Sequence, residues 1–394
     1  MNLSRRRLLQ TSASTLFGGG LGATLALQDA FAQTPEVSTA GMNGPLRDLA
    51  TFFSLAMLSN NFTSSGELMT FGDLALRLEQ VGVDLNAIAE PEEKRRQLGL
   101  ATLPVPFAEL VRASFQAENP VALFGWNAFD IEQSAYVMSD AITLTVLRGR
   151  FEPDLIQRAW SENGYAPVDQ LGVPAASLSA EPSFDMTTEL GRLTLGKANN
   201  VALVDDRTLI YASSLAGLEG MLESHRGEIE SLGVMSTYNQ VVDAAPDALS
   251  GAVVLAPGAF VAPPAITAGE NGIEFSTSWE PGPLPVLGLV GFASGPGLPD
   301  TGSSEEPVPS GSRQIAVRHF LTEAELDIAA KRTLLNLDTQ GSIAMDRAWS
   351  EIFAGWQVWT DPENSAVVSS IDLFGNEGVW LQTLYSRDAW YLYG

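Results

Sequence analysis

Chemistry in a chain of 394 residues starts from its nucleophiles, acids, bases and metal donors, and this chain has few of them. It contains no cysteine, so it offers no disulfide and no thiolate for zinc, haem or iron–sulfur ligation. Its two histidines, His225 and His319, are far apart, and neither belongs to a His-Glu-x-x-His pattern. His319 falls in a predicted strand and His225 at a predicted helix end, where an imidazole serves as a sheet residue or as a C-terminal helix charge. No Gly-x-Ser-x-Gly elbow occurs, and none of the three lysines, Lys94, Lys197 and Lys331, follows a serine by three residues, which removes the Ser-x-x-Lys pattern. No glycine-rich loop ends in Gly-Lys-Ser/Thr to cradle phosphate. Catalytic residues, metal ligands and cofactors are therefore expected to be none.

Two groupings remain. The adjacent acids Asp205-Asp206 would split their pKa values if buried in a cleft, but a short acidic step between apolar runs is also what a hairpin tip requires. Trp349, Trp356, Trp359, Trp380 and Trp390 gather near the end of the sequence, with Tyr385, Tyr391 and Tyr393 among them. Exposed, Trp356, Trp359 and Trp380 would form a platform for a sugar or an apolar ligand. Buried, the aromatics are core, and the alternation of Trp390 with Leu392 favours that.

The elements that must position these residues are legible in part. Leu74, Leu78 and Val81 are spaced as one helix face, and Gly82 supplies a stop. Residues 85–118 read as further helix and loop. "AITLTVLRG" from Ala141 alternates with period two, placing Ile142, Leu144 and Val146 on one face of a strand. "FEPDLIQRAWSENG" follows as a helix with Pro153 in its first turn and Asn163-Gly164 at its end. "NNVALVDDRTLIYAS" reads as a hairpin turning at Asp205-Asp206-Arg207.

The second half repeats the order. "RQIAVRHFL" is a strand, and "TEAELDIAAKRTLLNL" is a helix opened by a capping box from Thr322 to Glu325, with Leu326, Ala330 and Leu334 inward. "WLQTLYSRDAWYLYG" reads as a second hairpin turning at Ser386-Arg387-Asp388. Strand, helix and late hairpin, twice over, predict an α+β fold of two lobes. The first lobe is expected over residues 44–260 and the second over 261–394, with a Gly-, Pro- and Ser-rich flexible loop at 295–312.

Composition narrows the partners. The chain carries 22 basic and 47 acidic residues, a formal charge of −25. Such an excess of acid repels phosphate backbones and anionic membrane surfaces, so nucleic acid is not an expected partner.

The N-terminus carries the one specific motif. Ser4, Arg5 and Arg6, followed by Leu8 and Leu9, resemble the twin-arginine export signal, whose translocase carries folded cargo. A weakly apolar, glycine-containing stretch leads to Ala30 and Ala32, a small-x-small pattern suited to signal peptidase. The resemblance implies a signal at residues 1–32, a linker at 33–43, the translocase as a transient partner, and a periplasmic or extracellular location with no stable membrane span after cleavage. An uncleaved anchor is the alternative. The layout beyond the signal resembles uncharacterised exported bacterial proteins with two ferredoxin-like α+β modules, which implies a fold and a compartment but carries no catalytic residues. The expected function is an exported non-catalytic binding or interaction protein for a small-molecule or protein ligand. The competing expectation is an exported enzyme whose non-covalent cofactor is loaded in the cytoplasm, the usual reason for exporting a folded chain.

Overall fold

The computed structural model describes residues 44–60, 67–102, 105–138, 142–245, 249–256, 265–269, 272–276, 283–294, 312–339, 341–342, 347–373, 379–385 and 392. The expected export signal and linker lie outside the described residues, as do Ser386-Arg387-Asp388 and all of the 295–312 loop except Ser312.

Runs rich in Val, Ile, Leu and Thr build one large antiparallel sheet. In chain order its strands are β1 (Glu67–Asp73), β2 (Ile131–Met138), β3 (Thr143–Gly149), β4 (Ala166–Pro167), β5 (Ala175–Ser177), β6 (Asn200–Asp205), β7 (Thr208–Ala212) and β8 (Leu249–Leu255). A separate small hairpin, β9 (Ala265–Gly269) with β10 (Gly272–Ser276), precedes β11 (Leu287–Ser294) and β12 (Ser312–His319). The two-residue pair β13 (Gly341–Ser342) and β14 (Arg347–Ala348) comes before β15 (Phe353–Asp361) and β16 (Ala366–Leu373). The 12 strands of the main sheet run in the order β15-β16-β12-β11-β8-β1-β2-β3-β7-β6-β5-β4. The chain is thus an α+β protein, as its pattern predicts.

The connections repeat about the centre of this sheet. β1, β2 and β3 form a meander, a helix follows, and the hairpin β6–β7 returns with β7 beside β3. β8, β11 and β12 form the other meander, a helix follows, and the hairpin β15–β16 returns with β16 beside β12. The two sets meet where β1 pairs with β8.

Helices cover both faces, which is why strands such as β8 are buried along their whole length. One face is closed by α1 (Gly44–Ala50), α2 (Leu55–Asn60), α9 (Leu215–His225) and α10 (Ser236–Ala244), over Leu144, Val146, Ala252, Val254 and Val317. The other face carries two clusters. Around Leu147, Leu209 and Tyr211 pack α3 (Leu74–Gln80), α4 (Pro91–Thr102), α5 (Glu109–Gln116), α6 (Pro120–Phe124), α7 (Pro153–Glu162) and α8 (Glu189–Thr194). Around Val253, Phe292 and Ile371 pack α11 (Glu323–Thr339), α12 (Trp349–Ile352) and α13 (Val379–Tyr385). Between the clusters the Val105–Pro106 segment lies on Gly72 and Gly251, which face each other across the β1–β8 seam; a Cβ on Gly72 would sit 2.4 Å from the Pro106 carbonyl oxygen.

Local signals mostly held. Asp73 caps α3 by accepting from the Leu76 N–H at 2.8 Å, and Gly82 follows with φ +68°. The Thr322 and Glu325 side chains exchange bonds with each other's backbone N–H at 3.3 and 3.0 Å, completing the predicted capping box. Two expectations are corrected. The second late hairpin is β15–β16, turning through Pro362–Ser365, while "WLQTLY" is helical, with Val379, Trp380 and Thr383 buried on one face. That run fits either period, whereas the Asp-Pro-Glu-Asn turn residues mark the real hairpin tip. The inner face of α11 is Leu326, Ala329, Thr333 and Leu337; Leu334 is exposed, because the helix rotates it about a quarter turn away from that stripe.

Candidate functional site

The polar residues singled out by type are held in structural roles. His225, the last residue of α9, stacks on Phe52 with ring centroids 4.0 Å apart. Its Nδ1 is 3.2 Å from the Thr51 hydroxyl, which also lies 2.6 Å from the Asp48 carbonyl oxygen and can donate to it. His319 ends β12 and directs Nδ1 to the Asn364 carbonyl at 3.1 Å, pinning the β15–β16 turn. Burial pulls the pKa of both rings below the ordinary imidazole value, with the nearby Arg148 adding to the effect at His225. Asp205-Asp206 form the exposed tip of the β6–β7 hairpin, where the Asp205 carboxylate accepts from the Arg207 N–H at 2.8 Å.

Trp349, Trp356 and Trp380 meet in the core cluster around Phe292 and Ile371 and form no exposed platform, while Trp390, Tyr391 and Tyr393 lie outside the described residues. Trp380 is fully buried and stacks on Phe292 at 6.1 Å, and the equally buried Trp349 stacks on Phe353 at 5.2 Å. Trp356 is half-buried on the α11 side of β15, its indole N–H donating to Asp338 at 3.1 Å. Trp359, three residues along the same strand, points to the opposite face and is 42 % exposed. Trp356, Trp359 and Trp380 therefore share no single surface.

Buried charge is met by specific partners. Arg313 and Asp372, side by side on β12 and β16, pair at 2.6 Å. Arg318, with no exposed surface, donates to the Thr333 hydroxyl at 2.5 Å and the Leu392 carbonyl at 2.8 Å, tying α11 and Leu392 to the sheet. Burial raises the pKa of Asp73, which accepts from Leu76 and from Gln133 at 2.7 Å. These are lattice-like supports within the fold, and among the described residues no three metal-binding side chains come together. No described helix is long and apolar enough to cross a membrane.

The feature aimed outward is the sheet's own edge. One end of the sheet, β4, is two residues long and includes Pro167, which has no N–H to offer a neighbour. The opposite end, β15, runs nine residues as Phe-Ala-Gly-Trp-Gln-Val-Trp-Thr-Asp, with no proline, lysine or arginine, and among the described residues only β16 pairs with it. Past a bulge between Phe353 and Gly355, its outer backbone groups continue in a row to Asp361, a template onto which another strand can hydrogen-bond.

Above this edge lies α11, whose Asp338 holds Trp356 and whose Leu326 and Ala330 belong with Val358 in one apolar cluster. Exposed apolar side chains lie there among charged ones: Leu321, just before the helix, is 65 % exposed and Ile328 46 %, and Leu335 continues the same seven-residue spacing. Leu334 is exposed one turn before Asp338, on the flank that reaches Trp356. Open backbone, Trp359 on one face and a leucine–isoleucine surface on the other make β15–α11 the candidate binding surface. The sequence carries its components, since the seven-residue spacing and the uncharged run are both visible, but nothing local states that β15 is the outermost strand. No protein-family model, curated protein or solved structure compared with this chain matches it, so its function rests on its own residues.

Proposed function

We propose that this chain is an exported, non-catalytic binding or interaction protein that engages its ligand by strand addition at β15. The observation that supports it is the contrast between the two ends of the sheet: β4 is short and carries a proline, whereas β15 is long, free of lysine and proline, and flanked by exposed apolar side chains. Sheet edges are ordinarily blunted, and a long one left open is a recognition surface in which backbone bonds supply affinity and flanking side chains supply selectivity. The Arg5-Arg6 signal delivers the folded chain through the twin-arginine translocase to the periplasm or beyond, with Ala30 and Ala32 at the cleavage site. The acidic surface keeps it off nucleic acid.

The fold belongs to the same reading. Its two lobes are copies of one α+β unit, of ferredoxin-like type in joining strand–helix units to a late hairpin, though three strands rather than one precede the helix. The shared connection order on either side of the β1–β8 seam supports duplication.

Native mass spectrometry with an absorption spectrum, on chain exported by its own signal and purified without denaturant, tests the functional reading. A mass equal to the bare polypeptide from about Gln33, or to a whole multiple of it, is the expected result. Additional non-protein mass or visible absorption would overturn it in favour of an enzyme with a cofactor loaded before export.

A further inference from the structure

The two ends of the sheet differ, and that difference constrains what can add to it. If β15 of one molecule paired with β4 of the next, the contact would be head-to-tail and would propagate into a filament. The two-residue, proline-bearing β4 opposes that mode. An antiparallel pairing of β15 with β15 of another molecule uses the same patch twice, closes after two copies and leaves only the short, proline-bearing β4 at each end.

From this asymmetry we infer that the occupant of the β15 edge is a second copy of this chain, giving a two-fold dimer with a sheet continuous across both molecules; this rests on the reading of β15 as a binding edge. Antiparallel self-pairing also lays the two α11 helices side by side above the seam. Asp327 and Lys331 lie one turn apart on the flank of α11 that also carries Leu334 and Asp338. Leu334 supplies apolar contact on that flank.

The size is adequate. An edge about 30 Å long and two layers, about 20 Å, deep covers about 600 Å² per molecule, the low end of the range for stable dimers. The formal charge of −25 on each copy opposes approach at long range. Because the Debye length shrinks from about 30 Å at 0.01 M salt to about 10 Å at 0.1 M, the dimer tightens as salt is added.

Sedimentation velocity on the full exported chain across about 1–100 µM, with hydrogen exchange of the 354–360 amides, tests this. The expected result is a dimer that dissociates on dilution and tightens with salt, its β15 amides gaining protection with concentration. Gln357→Lys places a charge on the edge and Leu334→Glu one on the helix; each raises the dimer Kd by about tenfold or more with an unchanged circular dichroism spectrum. A monomer throughout, with β15 amides exchanging fast, would overturn the second-copy assignment while sparing the open edge. A monomer whose β15 amides exchange as slowly as those of β16 would overturn both, and a dimer insensitive to both variants would place the interface elsewhere.

Discussion

Arg77 and Phe292 are joined across the middle of the molecule: the guanidinium carbon stands 5.2 Å from the centre of the phenyl ring, whose other neighbour is the Trp380 indole at 6.1 Å. Arg77 belongs to α3, which follows β1, whereas Phe292 is on β11 and Trp380 on α13. The stack therefore couples the two strand sets through side chains as well as through the β1–β8 ladder. Replacing Phe292 by leucine keeps most of the apolar volume but removes the ring face, and is expected to cost about 1–3 kcal/mol. Urea unfolding, read as a lowered midpoint at unchanged slope, measures it.

The Arg313–Asp372 pair is nearly excluded from solvent. Asp372→Ala leaves a buried guanidinium without its carboxylate and is expected to lose about 3–5 kcal/mol. Replacing both partners, Arg313→Met with Asp372→Leu, recovers most of that loss, since neither charge is then left unpaired. A double-mutant cycle in urea separates the coupling from the two single effects.

Two glycines give opposite outcomes when a methyl group is added. Gly72→Ala forces a Cβ to within 2.4 Å of the Pro106 oxygen and 2.9 Å of a Val105 methyl, so the seam must open, at a cost of about 1–3 kcal/mol. Gly99, within α4, has nothing within 4 Å of an added Cβ. Gly99→Ala is expected to stabilise by about 0.5–1 kcal/mol through helix propensity and a less flexible unfolded chain. Thermal melting of the two variants beside the parent separates these signs.

The buried histidine predicts a pH dependence. Burial holds His319 below its unfolded pKa of about 6.5, so its contribution to stability is full above that pH and is lost as the pH falls through the lower folded value. Asp73 and Asp130, raised by burial, act in the opposite sense: their folded forms gain relative stability as the pH falls and lose it as the pH rises through their folded values. His319→Asn keeps a donor for the Asn364 carbonyl but does not titrate. The stability difference between parent and variant, measured in urea from about pH 7.5 to pH 5, should shift in favour of the variant as the pH falls.

Where the signals were short-range, the sequence carried them. The capping box at Thr322–Glu325, the Asp205 hairpin tip and the stop at Asn163-Gly164 each depend on bonds spanning a few residues, so the residue types at those positions suffice. Strand, helix and hairpin were legible in both halves for the same reason, and the second hairpin was misplaced only because "WLQTLY" suits two periods at once.

The tertiary structure decided what depends on partners distant in the chain. β1 meets β8 across some 180 residues, and no local pattern states that pairing. The fate of each tryptophan followed from it: the same residue type is core at Trp380, bonded to Asp338 at Trp356 and open to solvent at Trp359, according to which layer covers it. The position of β15 at the end of the sheet, among the described residues, was settled in the same way. A strand is an edge only because no other strand reaches its far side, and its own residues determine that it extends without determining what lies beside it.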